Sequence, residues 1–387
     1  MRKVLAKCDK PLFVFMVIYS VLGMIMIFSA SNVSTLLRYH VSVYHFFIRQ
    51  AAFILLSVIF GFAIVLRMPI KRYRHFAIPL IIIVIASLVG LFAYGRITNN
   101  AQSWYDFGPI NFQPSEFAKS AIIIFMAVFY DLISKKKNIP FTIYFIPLAI
   151  VGAISILVMM QPDLGSSIII LAIAFGIFIS VPGVRKNIEK VFKYLFIGLV
   201  ILVFTVLIGG KNILNSRQLK RFEFQNPCSR YREETGYQVC NGFIAIHNGG
   251  LLGKGLGNST QKYLYLPESH TDFIFPIIVE ELGLIAGVLI VLGYGFILYR
   301  ILRISRKANT ISGAILAYGA FLYILLHVLI NLLGILALIP LTGVPLPLLS
   351  YGGSFTINII LILFVVERIA IEENDHEIKQ TIAKITR

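Results

Sequence analysis

Ten apolar stretches run through this chain of 387 residues. A helix of about 20 apolar residues crosses the hydrocarbon core of a bilayer, and it satisfies every backbone polar group internally. Hydrophobic residues make up 58% of the sequence, against about 45–50% in soluble domains, which excludes a water-soluble fold. The sequence therefore predicts an all-α integral membrane protein whose ten transmembrane helices cover 11–30, 48–67, 76–94, 116–134, 141–160, 166–182, 192–209, 273–298, 311–337 and 355–372.

A long polar segment, residues 210–272, separates the seventh predicted helix from the eighth. The other connections between helices are short, and the sequence contains neither an internal repeat nor a low-complexity stretch. We therefore expect a single polytopic membrane domain over residues 1–387, in which 210–272 forms a large extracellular loop.

Basic residues cluster on one side of the predicted bundle. Lys and Arg outnumber Asp and Glu by 35 to 18, for a formal net charge of +17. Nucleic acid binding would explain such an excess, but membrane proteins accumulate Lys and Arg in their cytoplasmic loops. The clusters Lys71–Arg74, Lys135–Lys137 and Arg300–Lys307 fall on the side of the two termini. We therefore expect a multi-pass membrane protein with both termini in the cytoplasm and with no nucleic acid partner.

Two of the three cysteines lie in the polar segment. If this segment faces an oxidising exterior, Cys228 and Cys240 can pair and close a short loop, worth about 3 kcal/mol in the chain-entropy model. Two free thiols are the alternative, and the sequence alone leaves both open. The spacing of the cysteines is not that of a metal site.

The polar segment ends in Tyr265-Leu-Pro-Glu-Ser-His-Thr-Asp-Phe-Ile-Phe275, which brings His270 and Asp272 to the mouth of the eighth predicted helix. A carboxylate beside an apolar helix is costly in lipid, so it indicates a functional site. A carboxylate in this position can act as a general base. A helix N-cap is the alternative role for Asp272.

Two further carboxylates, Glu280 and Glu281, fall inside the eighth predicted helix. On an ideal helix, Glu280 lies about 80° around from Asp272 and Glu281 about 180°. One of the two glutamates must therefore face a different neighbour. His327 and Asn331 are four residues apart on the ninth predicted helix and so share one face. They are candidate polar neighbours for that glutamate.

Polar residues also precede the fourth and sixth predicted helices. Gln113-Pro114-Ser115 begins the fourth helix, and Glu116 and Lys119 are three residues apart, so their side chains share one face and can pair. The alternative to a functional pair is an N-terminal cap with a structural salt bridge. The two roles are compatible. Asp163, in the turn before the sixth helix, is favoured as a helix cap.

Two loop segments have the composition of ligand-binding regions. Arg217, Arg221 and other basic residues accompany the glycine-rich turns 247–250 and 253–258, which suits an anionic group such as a phosphate. A solvated loop attracted to anionic lipid is the alternative. The segment 340–354 is rich in Pro and Gly, so we expect it to be irregular and to line a cavity, with a structural turn as the alternative.

These motifs, taken together and in this order, resemble the shape, elongation, division and sporulation (SEDS) family, whose members include FtsW, RodA and a sporulation paralogue. The resemblance rests on residues 104–119, 161–165, 217–227, 249–259, 266–275, 280–283 and 345–354. The contexts of 236–238 and 257–262 look most like FtsW. The sequence departs from the family pattern at Asn99-Asn100, where a glycine is usual, and at Phe355, where a second serine is common.

The resemblance implies a peptidoglycan glycosyltransferase of the bacterial plasma membrane. Such an enzyme polymerises lipid II into glycan strands at the outer face of the membrane during cell division or cell wall growth, with inversion and with undecaprenyl diphosphate as the leaving group. The resemblance further implies Asp272 as the general base, a divalent metal (Mg or Mn) with Asp272 as one candidate ligand, and no organic cofactor. The implied partners are a class B penicillin-binding protein, which is a transpeptidase, and other membrane proteins of the divisome or elongasome.

The family match also carries site residues onto this sequence. The residues expected around the substrate are Arg49, Gln113, Glu116, Lys119, Arg217, Arg221, Glu268, His270 and Ser354. Two other functions are the alternatives. A lipid II flippase would use the same cavity, with Asp272, Glu116 and Lys119 as headgroup ligands or a proton relay, and a non-catalytic scaffold would only position the transpeptidase. The clustering of polar motifs on one side argues against a flippase, because carriers favour sites near the midplane.

Overall fold

Nine of the ten predicted helices are present in the computed structural model of the chain. The structure describes residues 7–98, 101–108, 111–187, 189–191, 193, 224–263, 265–267 and 269–385. Within these residues, eight helices are long and apolar enough to cross a membrane, and Leu164–Ser180 is a shorter apolar helix. The predicted helix 192–209 lies outside the described residues, apart from residue 193. The protein is therefore an all-α, multi-span membrane protein.

The helices match the predicted spans in position, but three of them continue past their predicted ends. The helices predicted to end at residues 30, 298 and 372 end at Leu37, Lys307 and Ile385. In chain order they are α1 (Lys10–Leu37), α2 (His45–Ala63), α3 (Tyr73–Tyr94), α4 (Pro114–Ser134), α5 (Ile146–Met160), α6 (Leu164–Ser180), α7 (Pro182–Arg185), α8 (Glu234–Gly249), α9 (Ile274–Lys307), α10 (Ile311–Ile335) and α11 (Gly353–Ile385). Short 3-10 turns lie at Val65–Arg67, Ile70–Arg72, Phe141–Phe145 and Pro227–Arg230. α7 is a single turn and α8 belongs to the polar segment, so neither is a span.

The surface of the bundle is apolar, as a lipid environment requires. Leu55 on α2, Ile78 on α3 and Leu289 on α9 are 61%, 63% and 62% exposed. In water, exposed apolar surface on this scale would mark an interaction site. Lipid tails are as apolar as these side chains, so the same exposure is the normal state of a membrane helix.

A small antiparallel sheet connects α3 to α4. β1 (Arg96–Thr98) pairs with β2 (Ala101–Asp106), and β2 pairs with β3 (Asn111–Phe112). The Tyr105 hydroxyl donates to the carbonyl oxygen of Ser87 at 2.8 Å and so holds the sheet against α3. The sequence predicts no strand in this region, because strands of two to six residues carry too little apolar and polar alternation to be recognised.

α9 is interrupted near its start by Gly283, whose φ of +89° suits only a residue without a side chain. A Cβ at this position would lie 2.3 Å from a carbonyl oxygen of the loop that follows α8. That loop takes over backbone hydrogen bonds at the break. Lys254 N donates to Glu280 O at 3.0 Å, and Gly250 O accepts from the residue after Gly283 at 2.9 Å. The polar segment is therefore built into α9, because unpaired backbone groups are costly within a bilayer.

Glu281 forms the first of two carboxylate clusters beside this break. Its carboxylate pairs with Lys262 Nζ at 2.9 Å and accepts from the hydroxyl of Ser29, on α1, at 2.7 Å. Lys262 and Glu281 are each only 1% exposed, so each charge is compensated by the other and not by water. The cluster ties α1, α9 and the polar segment together.

Glu280 forms the second cluster, with side chains of the polar segment. Its carboxylate accepts from Thr260 Oγ1 at 2.7 Å and from Lys254 Nζ at 3.0 Å. His327 and Asn331, the neighbours predicted for one of the two glutamates, hydrogen-bond elsewhere. That prediction is wrong. The argument from helical spacing compares only residues on helices, whereas the partners of Glu280 lie on a loop.

Cys228 and Cys240 form a disulfide, with their Cα atoms 4.9 Å apart. The bond ties the 3-10 turn Pro227–Arg230 to α8. Of the two states that the sequence leaves open, the paired state is therefore the one observed. Disulfides persist in oxidising compartments, which agrees with an extracellular position for this segment.

Both ends of the described chain lie at the end of the bundle away from the polar segment. Asp9, before α1, pairs with Arg300 on α9. Glu373 on α11 lies 3.6 Å from Lys307 Nζ, at the end of α9. Since α9 begins next to the polar segment and ends at Lys307, the segments near the two termini share the opposite end.

We expect Glu281→Gln to destabilise the fold by about 3–5 kcal/mol, because it leaves the buried charge of Lys262 without a counter-charge. The double variant Glu281→Gln/Lys262→Met should recover most of this loss, since it removes both charges. Thermal unfolding of the purified protein in detergent measures the effect. Asp131→Asn is the matched control, because it breaks the solvent-exposed pair with Lys135, which is worth only about 0–1 kcal/mol. Equal losses of stability for Asp131→Asn and Glu281→Gln would contradict the claim that burial makes the Lys262–Glu281 pair more important than an exposed pair.

Candidate active site

A cavity of about 450 Å³ opens beside the start of α9. The predicted site residues among those that line it are Arg49 on α2, Gln113, Glu116 and Lys119 at the start of α4, and Asp272 just before α9. We call it the Asp272 cavity. The fold therefore brings together five side chains that the sequence assigns to one site but places on three separate segments.

The start of α4 holds Gln113 and Ser354 together. Gln113 is the N-cap residue of α4, with Pro114 as the first helical residue. Ser354 Oγ accepts from the Gln113 N–H at 3.0 Å and donates to the carbonyl oxygen of Asn111 at 3.3 Å. Ser354, at the start of α11, therefore supports the wall of the cavity and does not itself form part of the lining.

Glu116 and Lys119 form a buried ion pair on one wall of the cavity, as their spacing predicts. Lys119 Nζ lies 2.6 Å from Glu116 Oε1, and the two residues are 1% and 3% exposed. Glu116 Oε2 accepts from the Tyr323 hydroxyl at 3.1 Å, and the Glu116 carbonyl oxygen accepts from Asn358 Nδ2 at 2.6 Å. Removing either charge would leave the other buried alone, so the wall requires both.

His327 on α10 connects this ion pair to the segment before α11. Its Nε2 lies 3.1 Å from Lys119 Nζ, and its Nδ1 lies 3.2 Å from the carbonyl oxygen of Pro345. An ammonium group only donates hydrogen bonds and a carbonyl oxygen only accepts them. Nε2 is therefore the acceptor and Nδ1 carries the hydrogen, which makes the imidazole neutral and fixes its tautomer.

The segment between α10 and α11 is irregular and lines the cavity, as predicted. Residues 340–346 have no regular secondary structure, and residues 342–345 form part of the lining. Asn331 on α10 holds this segment, because its Nδ2 donates to the carbonyl oxygens of Val344 and Asp272, both at 2.8 Å. One amide group thus joins the irregular segment to the residue that carries the cavity carboxylate.

Asp272 lies at the edge of the cavity, between the polar segment and α9. Thr271 Oγ1 donates to Asp272 Oδ1 at 3.0 Å. Gly343 faces the carboxylate, and a Cβ there would lie 3.6 Å from Oδ2. The N-cap residue of α9 is Phe273, so Asp272 does not have the capping role that was its alternative. Its half-buried carboxylate is presented to the cavity instead.

Asp163 caps a helix and also lines the cavity. Its Oδ1 accepts from the Ser166 N–H at 3.0 Å at the start of α6, as the sequence predicts. Its Oδ2 accepts from Gln113 Nε2 at 3.1 Å and from Ser115 Oγ at 3.2 Å. The cap therefore links the starts of α6 and α4, a contact that the local sequence does not reveal.

His270 lies behind the cavity wall and does not line the cavity, which corrects its predicted position. Its ring centroid is 4.4 Å from that of Phe46 and 5.7 Å from that of Tyr351. Burial, with a smaller effect of the Arg38 charge, lowers the pKa of His270 to about 4. The ring is therefore neutral at physiological pH, and its role in this structure is packing.

Three other predicted site residues fall outside the described residues; they are Arg217, Arg221 and Glu268. The glycine-rich turn 253–258, which was expected to suit an anion, packs against the break in α9. Its lysine, Lys254, pairs with Glu280 at 3.0 Å. The charge of this turn is therefore compensated within the fold.

Two residues that hold the cavity wall, Tyr323 and Asn358, are not among the predicted site residues, although the sequence contains a signal for each. Tyr323 and Asn358 both hold Glu116, and Asn358 Nδ2 also donates to the Tyr323 hydroxyl at 2.9 Å. Tyr323 lies four residues before His327, on the same helix face. Asn358 is an amide in an otherwise apolar span, and a polar group in such a span indicates a function by default.

The carboxylates of the cavity do not form a metal site by themselves. In the part of the chain that the structure describes, no three His, Cys, Asp or Glu residues are grouped to hold a metal. Glu116 is paired with Lys119, and Asp163 caps α6. Mg²⁺ is often bound through one or two carboxylates together with phosphate oxygens and water. A cation in this cavity would therefore need ligands beyond the carboxylates of the described lining.

Known proteins resemble this chain over nearly its whole length. The family model for FtsW, RodA and SpoVE, described as a cell cycle protein, matches residues 10–375. The probable peptidoglycan glycosyltransferase FtsW of Bacillus subtilis (strain 168) is 35% identical over 361 residues, which cover 92% of this chain and 88% of that protein. Stage V sporulation protein E of the same organism is 36% identical over 351 residues, which cover 89% of this chain and 92% of that protein.

Two solved structures share the fold. A chain from a peptidoglycan synthase complex superposes with a TM-score of 0.73 at 22% identity, covering 95% of this chain and 98% of that chain. The rod shape determining protein RodA of Thermus thermophilus superposes with a TM-score of 0.66 at 22% identity, covering 94% of this chain and 96% of that chain. The family match over residues 10–375 and the relatives above 30% identity agree with this fold. The chain belongs to the FtsW/RodA/SpoVE family of multi-span membrane proteins, the SEDS family.

Proposed function

We propose that this protein is a peptidoglycan glycosyltransferase that polymerises lipid II into glycan strands at the outer face of the bacterial plasma membrane, in cell division or cell wall growth. The observation that carries the proposal is that the carboxylate of Asp272 and the guanidinium of Arg49 line one cavity. Transfer of a sugar from a diphosphate requires a base for the acceptor and positive charge for the leaving group. Its FtsW relatives are named probable peptidoglycan glycosyltransferases, which supports the proposal.

Asp272 is the general base of the proposed reaction. Its carboxylate takes the proton of the acceptor hydroxyl while the hydroxyl oxygen bonds to the anomeric carbon of the donor sugar. The bond from that carbon to the diphosphate oxygen breaks on the opposite face, so the anomeric configuration inverts. Undecaprenyl diphosphate leaves with the electron pair of the broken bond. A positioned base typically contributes about 10²–10⁴-fold to the rate, because a sugar hydroxyl is a weak nucleophile.

Arg49 is the residue best suited to the leaving group. A guanidinium group always carries its charge, and its planar donors match two phosphate oxygens. The side chain of Arg49 is only partly buried, so it is accessible from the cavity. Lys119 is already paired with Glu116, so its charge is largely compensated and its main contribution is to hold the wall.

A divalent cation, Mg²⁺ or Mn²⁺, fits the same place in this proposal. In the mechanism above, with Asp272 as the base on the acceptor side, the diphosphate oxygens of the substrate would hold it. Asp272 is the candidate protein ligand if another group is the base, since the other cavity carboxylates are committed to Lys119 and to the start of α6. A bound cation would supply further positive charge for the leaving group. An organic cofactor is not needed, because the donor sugar arrives already activated by its diphosphate.

The proposed partner is a class B penicillin-binding protein, a transpeptidase that crosslinks the strands, together with other membrane proteins of the divisome or elongasome. A chain of the same fold belongs to a peptidoglycan synthase complex described as coordinating polymerization and crosslinking. Cytoplasmic termini are supported by the basic clusters on their side of the bundle and by the contact of Asp9 with Arg300. The disulfide supports an outward position of the polar segment.

A lipid II flippase and a non-catalytic scaffold remain the alternatives, and no observation favours either. The cavity lies where three helices begin: Gln113 precedes α4, Asp163 precedes α6 and Asp272 precedes α9. Carriers favour a site near the midplane, between two halves that can move. A cavity at one end of the bundle suits an enzyme that acts at one face of the membrane.

Asp272→Asn should abolish polymerisation and leave the fold intact, because the amide keeps the size of the side chain but does not accept the proton. We expect the rate of glycan formation from purified lipid II to fall by at least about 10²-fold. The measurement uses the full chain in detergent, alone and with its transpeptidase.

Asp131→Asn, near the far end of α4, is the control and should keep full activity. Normal polymerisation by Asp272→Asn would show that another group is the base. Failure of the wild type as well, in an intact complex, would favour the flippase or the scaffold. Loss of Asp272→Asn from the membrane would indicate a structural role.

Glu116→Gln and Lys119→Met should each reduce both activity and stability, because each leaves one buried charge unpaired, at a cost of about 3–5 kcal/mol. The double variant should lose less than the sum of the single losses, by at least about 1 kcal/mol. Unfolding in detergent and initial polymerisation rates, measured on all four proteins of the cycle, give this coupling. Strictly additive losses would mean that the two side chains do not act as a pair.

A further inference from the structure

A second cavity, of about 490 Å³, adjoins the Asp272 cavity. The residues that line it are Tyr39, Val41, His45, Phe46, Arg49, Trp104, Asp106 and Asn111. Three of them, Arg49, Trp104 and Asn111, also line the Asp272 cavity. We call the second space the Tyr39 cavity. Because the two cavities share a wall, an extended ligand can occupy both.

The back of the Tyr39 cavity is packed before any ligand arrives. Phe46 is buried, and its ring lies edge-on to Tyr39 at 5.3 Å between centroids. The same ring lies edge-on to Tyr351 at 4.8 Å and 4.4 Å from the buried His270. Rings that fix one another present a constant surface, so a ligand does not need to order them. His270, the histidine two residues before Asp272, therefore supports this wall by packing against Phe46.

The lining has the chemistry of a carbohydrate site. Tyr39 and Trp104 offer aromatic rings, and His45 and Asn111 offer hydrogen-bonding groups. A pyranose ring has C–H groups on its faces and hydroxyl groups around its edge, so it suits a space that combines aromatic rings with a few polar groups. An acyl chain would leave the polar groups unsatisfied.

The charges around the cavity also favour a neutral ligand. Among the described residues of the lining, Arg49 is the cation and Asp106 the acid, and Arg49 belongs to the shared wall. Arg38 lies over the Tyr39 ring at 5.6 Å but is not part of the described lining. Within that described lining, a second diphosphate would face one cation, with a carboxylate nearby. A sugar without charge requires neither.

We infer that the Tyr39 cavity is a saccharide subsite, which holds the sugar next to the reacting sugar on the glycan strand. The inference rests on the proposed function, because it is a polymerised strand that would extend from the reacting sugar into a neighbouring cavity. The strand continues beyond the sugar that reacts beside Asp272. The two cavities meet at the shared wall of Arg49, Trp104 and Asn111. The next sugar of the strand can therefore lie in the Tyr39 cavity.

The test compares Tyr39→Ala and His45→Ala with Tyr44→Ala. Tyr44 belongs to the same loop, lines neither cavity and stacks on Phe28 at 5.5 Å, so it is the matched control. The probe is the soluble β-1,4-linked tetramer of N-acetylglucosamine, and its binding to the full chain in detergent is measured by calorimetry. We expect the two cavity variants to bind it about fivefold to tenfold more weakly, as for the loss of one aromatic or polar contact. Tyr44→Ala should bind like the wild type.

Strand length gives a second, independent measurement. With purified lipid II, Tyr39→Ala and His45→Ala should make shorter glycan strands than the wild type and Tyr44→Ala, because a strand held less tightly is released earlier. Unchanged probe binding and unchanged strand length in both cavity variants would overturn the inference, as would equal weakening in Tyr44→Ala.

The two proposals fail in different ways. A wild type that binds the tetramer through Tyr39 but makes no polymer would contradict the polymerase and keep the saccharide site. A wild type that polymerises lipid II, with cavity variants that bind and polymerise as it does, would contradict the saccharide site alone. Thermal unfolding in detergent identifies any variant that has lost its fold, and the second cavity variant then decides.

Discussion

A charge buried among apolar helices must be compensated within the protein, and the rest of this structure depends on how that is done. Two lysine–glutamate pairs, Lys119–Glu116 and Lys262–Glu281, are almost completely buried. The first holds a wall of the Asp272 cavity, and the second joins the polar segment to α1 and α9. A buried pair is weak evidence for added stability, because well-packed apolar residues can replace it. We infer that each pair instead favours the arrangement of helices in which both of its charges are satisfied.

The position of Asp272 follows from these arrangements. Asn331 binds its carbonyl oxygen and ties it to the irregular segment before α11. On the other side, the loop after α8 and the clusters of Glu280 and Glu281 hold the start of α9 around the break at Gly283. A catalytic group must be kept within about 0.5 Å of its productive position, and this is achieved by the groups that support it. The proposed reaction therefore depends on residues that never touch the substrate.

Local patterns predict much of this architecture, and contacts between distant segments account for what they miss. Hydropathy alone locates the nine predicted spans that fall within the described residues, and a spacing of three residues is enough to pair Glu116 with Lys119. The cap at Asp163 can also be predicted from the sequence, because capping depends on neighbouring residues. The partners of Glu280 lie about 20 residues earlier on a loop, and no helical spacing rule finds them. Membership of a motif likewise does not say where a side chain points, which is why His270 was expected in the cavity and is found behind it.

The most direct test of the central claim is a structure of the Asp272→Asn protein with lipid II bound. We predict that the diphosphate of the bound substrate lies in the Asp272 cavity within hydrogen-bond distance of Arg49, with its sugar beside residue 272. A lipid II molecule bound elsewhere on the protein, without contact to this cavity, would contradict the assignment of the cavity as the site of polymerisation.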